Sequence, residues 1–271
     1  MSCAIDSTGP VRRLLPFASI AAILVIAFAA PRAQAPAQEY TETVPGTAVS
    51  FDMVLVPGRA GAPPLYFSRT EVTWDLYDLY AIGLDGAGDL PPGVDAIARP
   101  SSPYGAPDYG WGHEGFPVIS VTEQAAGAFA RWLSLKTGRE YRLPTEAEWE
   151  HAATLAWAGV TVDDVAWHEG NAGGRTHRGA SRKPDALGLF DLFGNAAEWV
   201  TTTGDDPVAR GGSFRDSASV VGPSARAVQD ARWNERDPQL PKSEWWLSDA
   251  PFVSIRLVAP IAGATSSRSE P

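Results

Sequence analysis

A single cysteine, Cys3, stands in 271 residues, so no disulfide can form within the chain. Positive charge is also scarce: 22 Lys and Arg against 32 Asp and Glu leave a net charge of −10. Such an acidic chain is a poor binder of nucleic acid or of anionic membrane surfaces. There is no P-loop and no Rossmann fingerprint, which argues against a nucleotide cofactor. Ser213 lacks the G-x-S-x-G elbow and no histidine follows it, which argues against a serine hydrolase. No internal repeat is present. The one long apolar run, Leu14 to Ala30, has 17 residues and is broken by Pro16. It falls short of the roughly 20 residues needed to span a bilayer.

That run has charged residues before it, Arg12 and Arg13, and the small-residue triplet Ala33-Gln34-Ala35 after it. This is the order of a secretory signal, read here as residues 1–35 with cleavage after Ala35. The expected location is periplasmic or extracellular, with an uncleaved anchor as the alternative. After cleavage no stable membrane span is expected, the cysteine is lost, and the net charge moves from −10 to about −12. An exported chain without disulfides must be held by packing, hydrogen bonds or bound metal, which favours a structural cation.

What is present in quantity is aromatic and turn-forming. Ten Trp, 10 Phe and 7 Tyr can fill a core, while 23 Pro and 26 Gly interrupt the chain too often for many long elements. Residues 36–49 read as a linker and 261–271 as a disordered tail. Three helices are predicted, capped by Thr73, Thr122 and Thr145. In the second, Ala125, Ala126, Phe129, Trp132 and Leu133 share a face that Gly138 ends; in the third, Thr145 and Glu148 make a capping box before Trp149, Ala152, Ala153 and Ala156. Residues 51–56, 117–121 and 252–258 read as strands. Strands and helices do not alternate, so the fold class is α+β.

Several strings, in order, resemble the sulfatase-modifying factor or formylglycine-generating enzyme family: FDMVLVPG (51–58), SRTEVTWDLY (68–77), FPVISVTEQAAGAFARWL (116–133), GREYRLPTEAEWEHAA (138–153), GLFDLFGNAAEWV (188–200), VARGGSF (208–214) and FVSIRLV (252–258). The resemblance covers residues 50–260 and implies one compact domain related to the C-type lectin fold, with little regular secondary structure. It also implies two cysteines after the RGGS string that bind copper and oxidise a substrate cysteine. Here those positions are Asp216 and Val221, which supply no thiolate, so copper is not expected. Ala197 stands where an aromatic is usual, an exchange expected to open a small space. Ser254 and Ile255 replace Gly-Phe.

By the same resemblance, Asp191, Gly194, Ala196 and Glu198 would bind calcium, with Gly194 and Ala196 offering main-chain oxygens. Two carboxylates flanking such carbonyls suit a hard cation that takes about six to eight oxygens. The alternative is that Asp191 and Glu198 cap turns or pair with Arg210 or Arg256. A second calcium site would begin at Asn171 and Ala172. Four histidines remain in the domain, and His168, Glu169, Asn171 and His177 could converge on iron, although His151 reads as a packing residue. Trp199, Arg210, Ser213, Trp245 and Trp246 are pocket candidates. Trp233, Trp245 and Trp246, with Arg226, Arg232 and Arg236 nearby, could serve either as a ligand platform or as core plugs.

Two functions follow as expectations. The first is an exported accessory module that has lost the copper and thiol centre, keeps structural calcium, and binds a protein, peptide or glycan. The second is a non-heme iron oxidoreductase of the same family acting on a peptide or small molecule.

Overall fold

Alternation of side chains along the strands sorts the residues of this chain into two cores. The computed structural model describes Met1 and residues 39–84, 103 and 105–261. The expected signal beyond Met1 and the tail beyond residue 261 lie outside the described residues. From Glu39 on, the described residues belong to one compact unit.

Strands β1 (Glu39–Thr43), β2 (Ser50–Val56) and β3 (Leu65–Ser68) form an antiparallel sheet. Helices α1 (Trp74–Ala81), α2 (Glu123–Thr137), α3 (Glu146–Ala156) and the single turn α4 (Val162–Val165) follow. The second sheet is built from β4 (Ala197–Val200), β5 (Val208–Arg210), β6 (Arg226–Val228) and β7 (Val253–Ser254), in the order β6-β5-β4-β7. β4 and β7 run parallel, with Glu198 opposite Ser254. β8 (Val258–Pro260) returns to the first sheet beside β3.

Met53, Leu257 and Ala259 point into a core with α1 and α2, while Val54, Val56 and Val258 point into a second with α3. In β4, Ala197 and Trp199 join the first core and Val200 the second. This is the two-residue period of a strand covered on both faces. The same period sends Glu198 and Arg256 toward the side of the second core.

The three predicted helices are present. Thr122 accepts a hydrogen bond from the Ala125 N–H, and Gly138 closes α2 at φ +72°. Both halves of the Thr145–Glu148 capping box form. Thr73 sits at the start of α1, but its side chain caps nothing.

Three expectations are corrected. Residues 39–43, read as part of a linker, are a paired strand, with Tyr40 packed edge-on against Tyr66 at 4.7 Å. Its polar composition is that of an edge strand. Residues 117–121 make only isolated bridges, because Ser120 turns at φ +62° and interrupts the extended run. Residues 252–258 divide between β7 and β8, so the apolar run serves two sheets. Among the described residues no helix is long and apolar enough to cross a membrane.

Candidate functional site

Arg256 is fully buried and each of its nitrogens is used. Nε donates to Glu198 Oε1 at 2.7 Å, Nη1 to the Ser68 carbonyl at 2.6 Å and Nη2 to the Phe190 carbonyl at 2.8 Å. Glu198, also fully buried, accepts from Trp149 Nε1 at 2.7 Å through its other oxygen. Glu71 accepts from the Ala196 N–H and Asn195 Nδ2, both at 3.0 Å. Asp191, at φ +55°, accepts from the Ala180 N–H at 2.9 Å, and its Oδ1 is buried without a partner.

Burial raises the pKa of all three carboxyls. Glu198 is pushed up to about 7 against the opposing pull of Arg256 and Trp149. Glu71 and Asp191 are also raised by burial, and the charge of Asp191 raises Glu71 further. Burial outweighs the pull of Arg256 on all three carboxyls and of Arg182 on Asp191, so each gains from a further positive charge. The residues therefore fit a cation best at Asp191, whose free oxygen faces no donor. Glu198 keeps lone pairs for a cation but is already held by Arg256 and Trp149. Among the described residues no three His, Cys, Asp or Glu side chains converge as ligands, so any site here would draw on main-chain oxygens. Gly194 is fixed by sterics: at φ +75°, a Cβ would lie 2.2 Å from the Trp167 carbonyl oxygen.

Asn171 and Ala172 are committed elsewhere. Asn171 Oδ1 accepts from the His168 N–H at 2.9 Å, and the Ala172 carbonyl from His177 Nε2 at 2.8 Å. These bonds lock a loop. The histidines likewise go separate ways. His168 Nε2 lies 2.7 Å from Asp163, and its Nδ1 accepts from the Gly170 N–H. His177 stacks on Trp167 at 3.7 Å, His151 bonds the Pro57 carbonyl, and His113 bridges Asp78 and Asp108. Among the described residues no iron triad is assembled.

The R-G-G-S segment leads to a different arrangement. Gly211 is required at φ +92°, because a Cβ would approach the Leu192 carbonyl oxygen to 2.6 Å. The turn that follows is tied by Asp216, whose Oδ2 accepts from the Ser213 N–H at 2.8 Å and from Ser213 Oγ at 2.9 Å. Val221 is buried in the second core. Beside this turn lies a cavity of about 230 Å³ lined by Ala197, Gly212, Ser213, Arg215, Asp216 and Phe252, among others. Ala197, whose side chain is a single methyl, leaves part of this space open. Arg215 lies over the Phe252 ring at 4.7 Å and the Phe214 ring at 5.6 Å. Behind Phe214, Trp111 meets its ring edge-on at 5.3 Å and carries Tyr109 stacked at 5.0 Å.

A match to the family model described as sulfatase-modifying factor enzyme 1-like domain covers residues 60–238. The chain belongs to the sulfatase-modifying factor family. A formylglycine-generating enzyme of Mycobacterium tuberculosis is 37% identical over 107 residues, 32% of this chain and 34% of that protein. The inactive C-alpha-formylglycine-generating enzyme 2 of Mus musculus is 31% identical over 128 residues, 38% of this chain and 39% of that one. The matched segments thus span little more than a third of these relatives. Among solved structures, Treponema denticola variable protein 1 aligns with TM-score 0.56 and 22% identity over 82% of this chain and 98% of that chain. PvdO from Pseudomonas aeruginosa aligns with TM-score 0.54 and 22% identity over 83% and 92%. These likenesses establish a shared fold of the kind expected for a C-type-lectin-related domain.

Within this family frame, the predicted pocket residues divide. Ser213 lines the cavity. Trp199 is core, donating to the Val121 carbonyl at 2.9 Å. Arg210 is buried and pairs with Glu146 at 3.2 Å and Glu150 at 3.0 Å, not with Asp191 or Glu198. Trp233 and Trp246 are buried and Trp245 half-buried, so the tryptophans plug the core and form no exposed platform. Trp246 also faces a separate cavity of about 340 Å³ with Tyr109 and Ser120. Sequence reading missed Arg215, Phe252 and Trp111. Arg215 directly follows the recognisable R-G-G-S-F string, yet nothing in the string indicates that its guanidinium lies over an aromatic 37 positions away. Glu71 and Asp185 were missed too; Asp185 Oδ2 is buried without a partner, and burial pushes its carboxyl up to about 6.

Proposed function

We propose that this chain is an exported accessory module that binds a protein or peptide through the cavity beside Ser213 and carries out no copper-thiolate oxidation. The observation that carries this reading is the fate of Asp216: it is a carboxylate, not a thiolate, and its Oδ2 accepts from the Ser213 N–H and hydroxyl. Val221, the other copper position, is hydrocarbon packed in the core. A soft metal finds no ligand in either. The names of two relatives agree with a non-catalytic use of the scaffold: one is called inactive, and a protein of Paenibacillus barcinonensis, 33% identical over 114 residues, is called chaperone protein LppX. Export rests on the signal-like order of residues 12–35. Calcium belongs to the same proposal, held by Asp191 with the main-chain oxygens of Gly194 and Ala196 and with Glu198, where it would neutralise buried negative charge and stabilise the fold.

Metal analysis of the purified mature protein, combined with an assay on a cysteine-containing peptide, tests this. Calcium without stoichiometric copper or iron, and no conversion of the cysteine, is the expected result. Formylglycine formation overturns it, as does stoichiometric iron that disappears on replacing His168 or His177. A chelator should lower the melting temperature of the wild type, and Asp191→Ala should remove that dependence. A wild type indifferent to chelator disproves the calcium assignment.

A further inference from the structure

The cavity beside Ser213 is lined by a guanidinium that no carboxylate among the described residues pairs with directly, although Asp216 lies on the same lining. The guanidinium of Arg215 makes no hydrogen bond and no ion pair among the described residues, and its contacts are the rings of Phe252 and Phe214. The nearest acids hydrogen-bond elsewhere and form no ion pair with it. Asp216 is bound by Ser213. Asp249 accepts from the Arg236 N–H at 2.8 Å and from the Arg236 guanidinium and the Ser248 hydroxyl. Burial lowers the Arg215 pKa from the ordinary arginine range, the cation Arg236 adds to that, and the charges of Asp216 and Asp249 only partly oppose it. Arg226, on the same cavity, has Nε and Nη2 turned to Glu146 at 2.7 and 3.5 Å.

We propose that Arg215 makes this cavity selective for a monoanionic carboxylate, presented by an acidic side chain or the C-terminus of a bound peptide. The proposal rests on the binding role given above and names its ligand class. A free guanidinium offers a planar pair of N–H donors that matches a carboxylate. One such fork beside the negative Asp216 suits a single charge better than a dianion, which calls for further donors. The remaining lining favours peptide over sugar. Ala197, Ala209 and Ala225 are apolar, Phe252 is a ring face, and the only hydroxyl, Ser213, already donates to Asp216. A glycan's hydroxyls would meet few partners there. The Phe252 ring face and the alanines instead suit the apolar stem of a Glu or Asp residue.

The experiment is an NMR titration of the calcium-loaded mature protein at constant ionic strength. The probes are N-acetyl-glutamate N-methylamide, its neutral glutamine isostere, glucuronate and inorganic sulfate. The glutamate probe should saturate and perturb resonances of Gly212, Ser213 and Phe252, with the glutamine probe at least about tenfold weaker. Arg215→Ala should bring glutamate down to the glutamine level, and Arg215→Lys should restore part of the difference. The side chain is exposed and unbonded, so the Ala variant should fold, which its melting curve verifies. Equal binding of glutamate and glutamine overturns carboxylate selectivity while leaving the cavity a binding site. So does an Arg215→Ala variant that binds glutamate like the wild type. Sulfate binding as tight as glutamate overturns the monoanion argument, and saturable glucuronate binding lost in Arg215→Ala assigns the site to acidic sugars instead. No saturable binding by any probe overturns the inference, whereas copper or iron content decides the parent reading independently.

Discussion

Two arginines of this domain are solvated in opposite ways. Arg256 has left water completely and replaced it with one carboxylate and two carbonyls. Arg215 stays exposed to water and lies over aromatic rings, with no protein acceptor among the described residues. A buried cation needs its full set of acceptors, because the cost of desolvation otherwise exceeds any gain. Arg256 therefore belongs to the architecture, and it ties β3, β4 and the chain between β7 and β8 together. Arg215 has no architectural task, and its unused donors point to a ligand.

The comparison breaks most visibly at Arg256. Arg256→Ala leaves Glu198 buried without its cation and should cost about 3–5 kcal/mol by urea denaturation; a loss below about 1 kcal/mol would mean that Glu198 is neutral and the pair unimportant. Next in size is the buried acid nearby. Asp185 has its pKa raised to about 6 by burial, so the native state holds its proton more tightly than the unfolded chain. Its stabilising share is complete below pH about 4 and is lost as pH rises through about 6. Asp185→Asn should flatten the stability profile in that window by on the order of 2 kcal/mol. An unchanged slope would show that Asp185 is not the group responsible.

A smaller effect tests the frame that carries Trp149 to Glu198. Thr145→Ala removes half of the capping box of α3 and should cost about 1 kcal/mol, read from thermal or urea melts. Smallest of all, Arg215→Ala should change stability by less than about 0.5 kcal/mol, since no bond is lost. A cost comparable to that at Arg256 would make Arg215 structural and remove the contrast.

Much of the frame is legible from residues a few positions apart. The capping box and Gly138 set α3 and α2 through local chemistry, and the chain of family strings locates the second sheet. Less legible are the edge strand 39–43, whose polar residues mimic a linker, and the break at Ser120, where one residue with positive φ ends an otherwise strand-like run. The string D-L-F-G-N-A-A-E names the candidate cation residues, but it leaves the pairing of Glu198 with Arg256 as one alternative among several and gives no sign of its bond from Trp149. Arg210 is an equally plausible partner on paper and lies instead with Glu146 and Glu150.

By itself, the sequence determined the family, the three helices and the absence of thiols at residues 216 and 221, because these depend on identity and on spacing within a few residues. Tertiary structure decided which arginine is paired and which is free. That outcome depends on distance and on burial: Glu198 meets Arg256 across 58 positions, and Arg215 meets Phe252 across 37. Charge in a folded chain is governed by what surrounds it after water leaves, and no local motif records that.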